Sequence, residues 1–163
     1  MRQADREITS PAQLEALLQS ALVCRLAFHD GEYPYIVPLN YGYADGCLYF
    51  HCAPEGKKLD LLRQNPRVGF EIEPLHEIVP HARPCGWETR FQCVIGAGTA
   101  EVLTAAEDKR RALDVLMGQH YRVLHVTPPA ELVYEPLPLS KMVVIRVRIE
   151  RMTGKQSKHF LKK

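Results

Sequence analysis

The 163 residues predict a mainly β fold, a six-stranded antiparallel barrel with peripheral helices in a single domain, 1–163. Three observations carry this. About six stretches alternate apolar and polar residues at the period of a strand, against two or three with helical spacing. The connections are short enough for hairpins. Helical stretches do not alternate with strands, which argues against a doubly wound parallel sheet.

In chain order, Ser10-Pro11-Ala12-Gln13 is a capping box with proline at the first helical position. Leu14, Leu17, Leu18 and Leu22 then repeat at helical spacing, so a short helix runs from 11 to about 20. Cys24, Leu26 and Phe28 alternate with Val23, Arg25 and Ala27 in a strand that ends at His29-Asp30-Gly31-Glu32. A hairpin follows, then a helix from about Lys57 that Asn65-Pro66 stops. Val68, Phe70 and Ile72 form another strand, and three prolines mark 74–87 as a long loop. Residues 88–103 read as the longest strand, bent where Gly96 and Gly98 lack side chains. Thr104, with Glu107 three positions on, caps a helix whose buried face carries Leu113, Leu116 and Met117. Pro128, Pro129, Pro136 and Pro138 mark an irregular connection. Ile145, Val147 and Ile149 make the last strand, and a frayed basic tail runs from Lys155 to Lys163.

The hairpin, Tyr35 to Cys52, is the centre of interest. Asp45-Gly46 between two alternating runs is a strong turn signal, and it pairs Ala44 with Cys47. Counting outward puts Asn40 opposite His51, close enough to act on one ligand. Tyr43, Leu48, Tyr41, Phe50, Leu39 and Cys52 share the face that reads as core. Lys57 and Lys58 then fall in the first turn of the next helix, where the macrodipole disfavours cations. An anion held by free helix amides and two ammonium groups resolves that conflict. The alternative is two solvated lysines offset by Glu55.

Composition narrows the classes. Net charge is +2 with 25% charged residues, so nothing marks the chain as a nucleic-acid or membrane binder. No apolar run has transmembrane length, and no signal peptide follows Met1. Five cysteines without a CxxC pattern are expected to be reduced thiols in a cytoplasmic protein. Gly96-Ala97-Gly98 is not a dinucleotide fingerprint, because Glu101 stands where the third glycine belongs and no helix starts there. His76, His81 and Cys85 match no zinc spacing, so no metal is expected. Cys24, Cys52 and Cys93 read as small core residues rather than nucleophiles. Arg90, Gln92 and Val94 share one strand face, with Phe91 and Cys93 on the other.

Three stretches together, YIVPLNYGY…LYFHCAPEGKKLDLL, CGWETRFQCVIGAGTAE and VVIRVRIERMTGK, resemble the nitroimidazole-resistance (Nim-like) branch of the pyridoxamine 5′-phosphate oxidase-like flavoproteins. The resemblance runs from about Arg6 to Lys155. It implies an FMN-binding split β-barrel that works as a homodimer, with FMN at the subunit interface. It places the flavin ring along Val37, Pro38, Leu39 and Asn40, and the phosphate at Lys57 and Lys58. Cys52, Ala53 and Gly56 belong to the same cofactor stretch, and His51 lies beside the flavin as the candidate catalytic residue. The partner subunit is expected to add residues near Arg90, Gln92, Cys93 and Val94, with Cys93 standing where the family often has serine. The function implied is an FMN-dependent oxidoreductase that reduces a small acceptor such as a nitro compound or quinone. The competing reading is a non-catalytic protein that binds or senses FMN or haem on the same barrel.

Overall fold

The structure, a computed structural model, describes residues 3–134 and 139–161. Pro136 and Pro138 of the irregular connection, and Lys162 and Lys163 of the basic tail, lie outside the described residues. Seven strands are formed: β1 (Glu7–Ile8), β2 (Val23–Asp30), β3 (Tyr33–Ala44), β4 (Cys47–Cys52), β5 (Arg67–Val79), β6 (Glu88–Val102) and β7 (Val143–Gln156). Three α-helices join them: α1 (Pro11–Ser20), α2 (Lys57–Gln64) and α3 (Ala106–Leu124). The strand order is β1-β7-β4-β3-β2-β5-β6, every pairing is antiparallel, and β6 also pairs with β7. Six strands therefore close into the expected barrel. The seventh, β1, is two residues appended to β7 at Lys155 and Gly154, too short to leave an alternating pattern in the sequence.

The barrel interior holds Leu26, Phe28, Tyr41, Phe50, Ile72, Val94, Ile145 and Val147, all buried at strand period. Asp45 and Gly46 form the β3–β4 turn with φ of 51° and 72°, and Ala44 pairs with Cys47 as the spacing predicts. Positive φ at both central residues matches the right-handed twist of the flanking strands. The bend expected at the β6 glycines is a register shift between Ala97 and Gly98 against β7.

Three expectations need correction. The long loop at 74–87 is instead an extended hairpin, with β5 running on to Val79 and pairing with Glu88. Pro74 is tolerated because the ladder shifts register between Ile72 and Leu75, where no amide proton is needed. Thr104 does not cap α3. The N-cap is Ala105, without a side-chain bond, because Leu103 N–H still donates to Val144 O (2.9 Å) and holds the chain to the sheet one residue longer. The tail is not frayed from Lys155: Lys155 and Gln156 complete β7 against Cys93 and Gln92, and Lys158–Leu161 form a 3-10 turn. Gln156 Oε1 accepts from Gln92 Nε2 (3.2 Å) and Gln13 Nε2 (3.5 Å), which anchors that end. Gln13 thus leaves its capping box half made, although Ser10 Oγ still accepts from Gln13 N–H (3.4 Å).

Helix α3 packs on the outer face of the β3–β4 hairpin. At Gly42 a Cβ would lie 2.5 Å from Leu116 Cα, so helix backbone rests directly on strand backbone. Gln119, 1% exposed, locks the contact. Its Oε1 accepts from Tyr43 N–H (2.9 Å), a donor that has run past the end of β2. Its Nε2 donates to Leu18 O (3.2 Å) and Ala21 O (2.6 Å), which lie at and just beyond the end of α1. One carboxamide thereby satisfies three backbone groups from two elements, each of which is costly to bury unpaired. Lys109 plays a similar part at the other end of α3, donating to Leu139 O (3.2 Å) and Met142 O (2.8 Å).

Gln119→Leu keeps the volume and removes all three bonds, so denaturant unfolding should show a loss of about 3 kcal/mol. Gly118→Ala, one residue earlier on the open side of α3, meets nothing within 4 Å and should stabilise by about 0.5–1 kcal/mol.

Candidate functional site

β3 is twelve residues long and β4 only six, and their ladder ends at Tyr41 and Phe50. Beyond that point β4 turns away into α2 while β3 keeps β2 as its neighbour, from Asn40 opposite Val23 to Tyr33 opposite Asp30. Tyr41 N–H donates to Leu22 O (3.2 Å), so odd-numbered residues of β3 turn their backbone groups toward β2. Even-numbered residues turn theirs to the side β4 has left. Two of those four are Pro34 and Pro38, which have no N–H to offer. The split in the barrel is thus lined by the N–H and C=O of Ile36 and Asn40, alternating with the carbonyls of Pro34 and Pro38. Val37 and Leu39 point inward and are half-buried, while Pro38 and Asn40 are exposed.

The divergence also corrects the hairpin register at its outer end. Asn40 and His51 are not ladder partners: Asn40 pairs with Val23, and His51 pairs with Val144 of β7. The count outward from the turn holds only while the two strands stay together. His51 is exposed on the outer side of β4.

On the other side of the split the chain runs through Cys52, Ala53 and Gly56 into α2. Cys52 is buried, and burial pushes its thiol up, opposed by the nearby charge of Lys58. Ala53 and Gly56 are exposed. Gly56 is the N-cap of α2 at φ 130°, a conformation open to glycine, and no side chain caps the helix. The amides of Lys57 and Lys58 at the start of α2 thus meet no side-chain cap, while Leu59 N–H closes onto Gly56 O (2.9 Å). Lys57 does something else. Its Nζ lies 2.5 Å from Asp30 Oδ2 and sits 5.2 Å from the centre of the Tyr35 ring. The carboxylate that offsets a first-turn lysine is thus Asp30, not Glu55, and it serves only one of the two. Nothing in the local sequence joins positions 30 and 57; only closure of the β2–β3 turn over α2 brings them together.

The residues predicted on β6 are placed apart from this split. Three strand steps of about 4.8 Å separate β6 from β3 whichever way round the barrel is taken. Arg90 is half-buried, bonded to Glu77 Oε2 (3.4 Å), and its Nε is buried without a partner. Gln92 is bonded to Gln156. Cys93 is buried at the ladder position opposite Lys155, and burial raises its thiol. Val94 is fully buried in the barrel, so its side chain reaches only the core.

The remaining candidates sort themselves by environment. Burial pushes the Cys24 thiol up to about 12, which keeps it protonated and unreactive. His76 bonds to Glu73 (3.0 Å), and His81 accepts from Arg83 N–H (3.1 Å) while its carbonyl accepts from Trp87 Nε1 (2.9 Å). Among the described residues no three His, Cys, Asp or Glu side chains are grouped to hold a metal ion, and no helix is long and apolar enough to cross a membrane.

Comparison with known proteins adds to this geometry. The family model described as pyridoxamine 5′-phosphate oxidase matches residues 10–156. Similar solved structures include a candidate 5-nitroimidazole antibiotic resistance protein from Bacteroides thetaiotaomicron, 28% identical with a TM-score of 0.77 over 92% of this chain and 86% of that one. A FAD-binding protein from Mesorhizobium loti is 28% identical with a TM-score of 0.63, over 93% and 97%. The FAD and haem binding protein from Mycobacterium smegmatis, 20% identical with a TM-score of 0.75 over 94% and 74%, shares the fold. An uncharacterised protein from Rhizobium meliloti (strain 1021) is 32% identical over 65 residues, which is 40% of this chain and 42% of that relative's length.

Thiol burial gives a direct test. With iodoacetamide at pH 8 the exposed Cys85 should be alkylated first, and Cys24 should stay unmodified until the chain is unfolded. Early alkylation of Cys24, read by peptide mass spectrometry, would contradict its burial.

Proposed function

We infer, from the premise that this chain belongs to the pyridoxamine 5′-phosphate oxidase family, that it is an FMN-binding oxidoreductase acting as a homodimer on a small acceptor such as a nitro compound or quinone. The observation that carries the reading is the pairing of a bare β3 edge with an uncapped helix start across one split. The first is a row of backbone hydrogen-bonding groups suited to a planar heterocycle. The second is an anion cradle of amides, Gly56 and Lys58 suited to a phosphate. The flavin-binding relatives agree in chemical class.

When bound, the flavin supplies the electron transfer, and the protein supplies position and protons. Lys58 and the α2 amides hold the phosphate. Ile36 and Asn40 offer N–H and C=O groups along the ring, and Pro38 keeps that edge from being taken by another strand. His51, exposed on the outer side of β4, offers a proton at the substrate side, a role suited to imidazole.

The homodimer reading is supported by the outer face of β3, β2, β5 and β6. Ladder register places Ile36, Ala27, Gly69 and Ala97 in one row, with Ile95 in the next. Ile36 and Ile95 are 57% and 51% exposed. A small-residue floor between exposed isoleucines is a surface that a second copy can cover. A second copy is also what the β6 residues require, since Arg90 and Gln92 cannot reach the β3 edge of their own chain.

The visible spectrum of the purified protein, with mass spectrometry of what denaturation releases, distinguishes FMN from FAD and from haem. Lys58→Ala should weaken flavin binding by about 1.5–3 kcal/mol, the worth of a charge-assisted contact. Lys57→Ala should weaken it much less, because Asp30 already holds that ammonium. Equal affinity in Lys58→Ala and the unaltered chain would remove the phosphate assignment. His51→Ala should keep the flavin and lose turnover with NAD(P)H and a nitro acceptor; loss of flavin would make His51 structural. Sedimentation at micromolar concentration should give the dimer mass, and Ile36→Asp should shift it toward monomer.

A further inference from the structure

A second polar cavity lies where the two ends of the described chain meet the start of β6. Arg6, Glu88, Thr89, Ser157, Lys158 and His159 line a volume of about 180 Å³. Among the described residues three buried side-chain polar atoms have no hydrogen-bond partner, and two of them, Arg6 Nε and Ser157 Oγ, belong to residues of this cavity. Ser157 is 6% exposed. A guanidinium carries donors alone and a hydroxyl can donate, so what the two share is a missing acceptor. Charge points the same way. Arg6 and Lys158 are the basic side chains of the lining, Glu88 is its one acidic side chain, and none of the three forms an ion pair among the described residues.

The space holds about six waters at ~30 Å³ each, room for a small oxyanion and too little for a nucleotide. The walls are held in place independently of any ligand. Ser157 N–H donates to Phe91 O (2.9 Å), Phe160 N–H donates to Ser157 O (3.2 Å), and Glu7, next to Arg6, is paired with Lys155. We propose that this cavity is an oxyanion site, separate from the α2 cradle, that takes phosphate or the phosphate group of a small phosphomonoester on Arg6, Ser157 and Lys158. The site stands whether or not the flavin reading does, since it shares no residue with it.

The test is calorimetric titration of the purified protein with sodium phosphate, and in parallel with phenyl phosphate, at constant ionic strength. With the α2 cradle filled by saturating FMN, the unaltered chain should bind at one site. Arg6→Gln and Lys158→Gln should each bind about tenfold more weakly, ~1.4 kcal/mol, with circular dichroism confirming that both are folded. Glu88→Gln, which removes the opposing carboxylate, should bind more tightly. Tighter binding of phenyl phosphate than of phosphate identifies a ligand subsite, and equal binding identifies a site for the free ion; both support the proposal. It is overturned if phosphate does not bind, if Arg6→Gln and Lys158→Gln bind as the unaltered chain does, or if Lys58→Gln loses binding while Arg6→Gln keeps it.

Discussion

The inequality between β3 and β4 is the constraint on which the rest depends. β4 runs out after six residues, so β3 must leave the hairpin with one edge bare. Backbone groups on an edge need partners, and a barrel normally removes the need by closing completely. Here closure is complete through six strands everywhere except along residues 33–40, and α2 follows β4 at that point and packs against β2. The leucines of α2, Leu59, Leu61 and Leu62, are buried in the same core as Phe28 and Phe50. The split is therefore as firmly built as the rest of the barrel, and a ligand meeting it meets a prepared surface rather than a loop.

The electrostatics of the split divide two neighbouring lysines by partner. Both stand at a helix start, where the macrodipole opposes them. Lys57 escapes the conflict within the chain, through Asp30 and the face of Tyr35. Lys58 lies near Cys52 and forms no ion pair among the described residues. Two adjacent identical residues thus carry different tasks, one tying α2 to the β2–β3 turn and the other marking where an anion would stand.

Much of this was legible in the sequence because it is local. Ser10-Pro11, the Asp45-Gly46 turn and the alternation of β2 each follow from residues a few positions apart. What escaped is non-local. Pro74 reads as a loop until its strand partner is known, and the ladder then places it at a register shift. Asn40 and His51 read as neighbours because counting from a turn assumes the strands stay paired. Asp30 with Lys57, and Gln119 with Tyr43, are separated by a length of chain that no periodicity spans. The periodicity of α3 marks a buried face of Leu113, Leu116 and Met117 and gives no sign of Gln119, which is 1% exposed.

The prolines of β3 carry one further consequence. A bare strand is a template, and proteins with such edges risk stacking into fibres through their main chains. With Pro34 and Pro38 at alternate outward positions, an incoming chain would find an amide proton only at Ile36 and Asn40, half the usual rungs of the ladder. What remains is polarity at two rungs, too little to recruit a strand. The same two rings that would shape that edge for a bound heterocycle also make it a poor template for stacking copies of the chain.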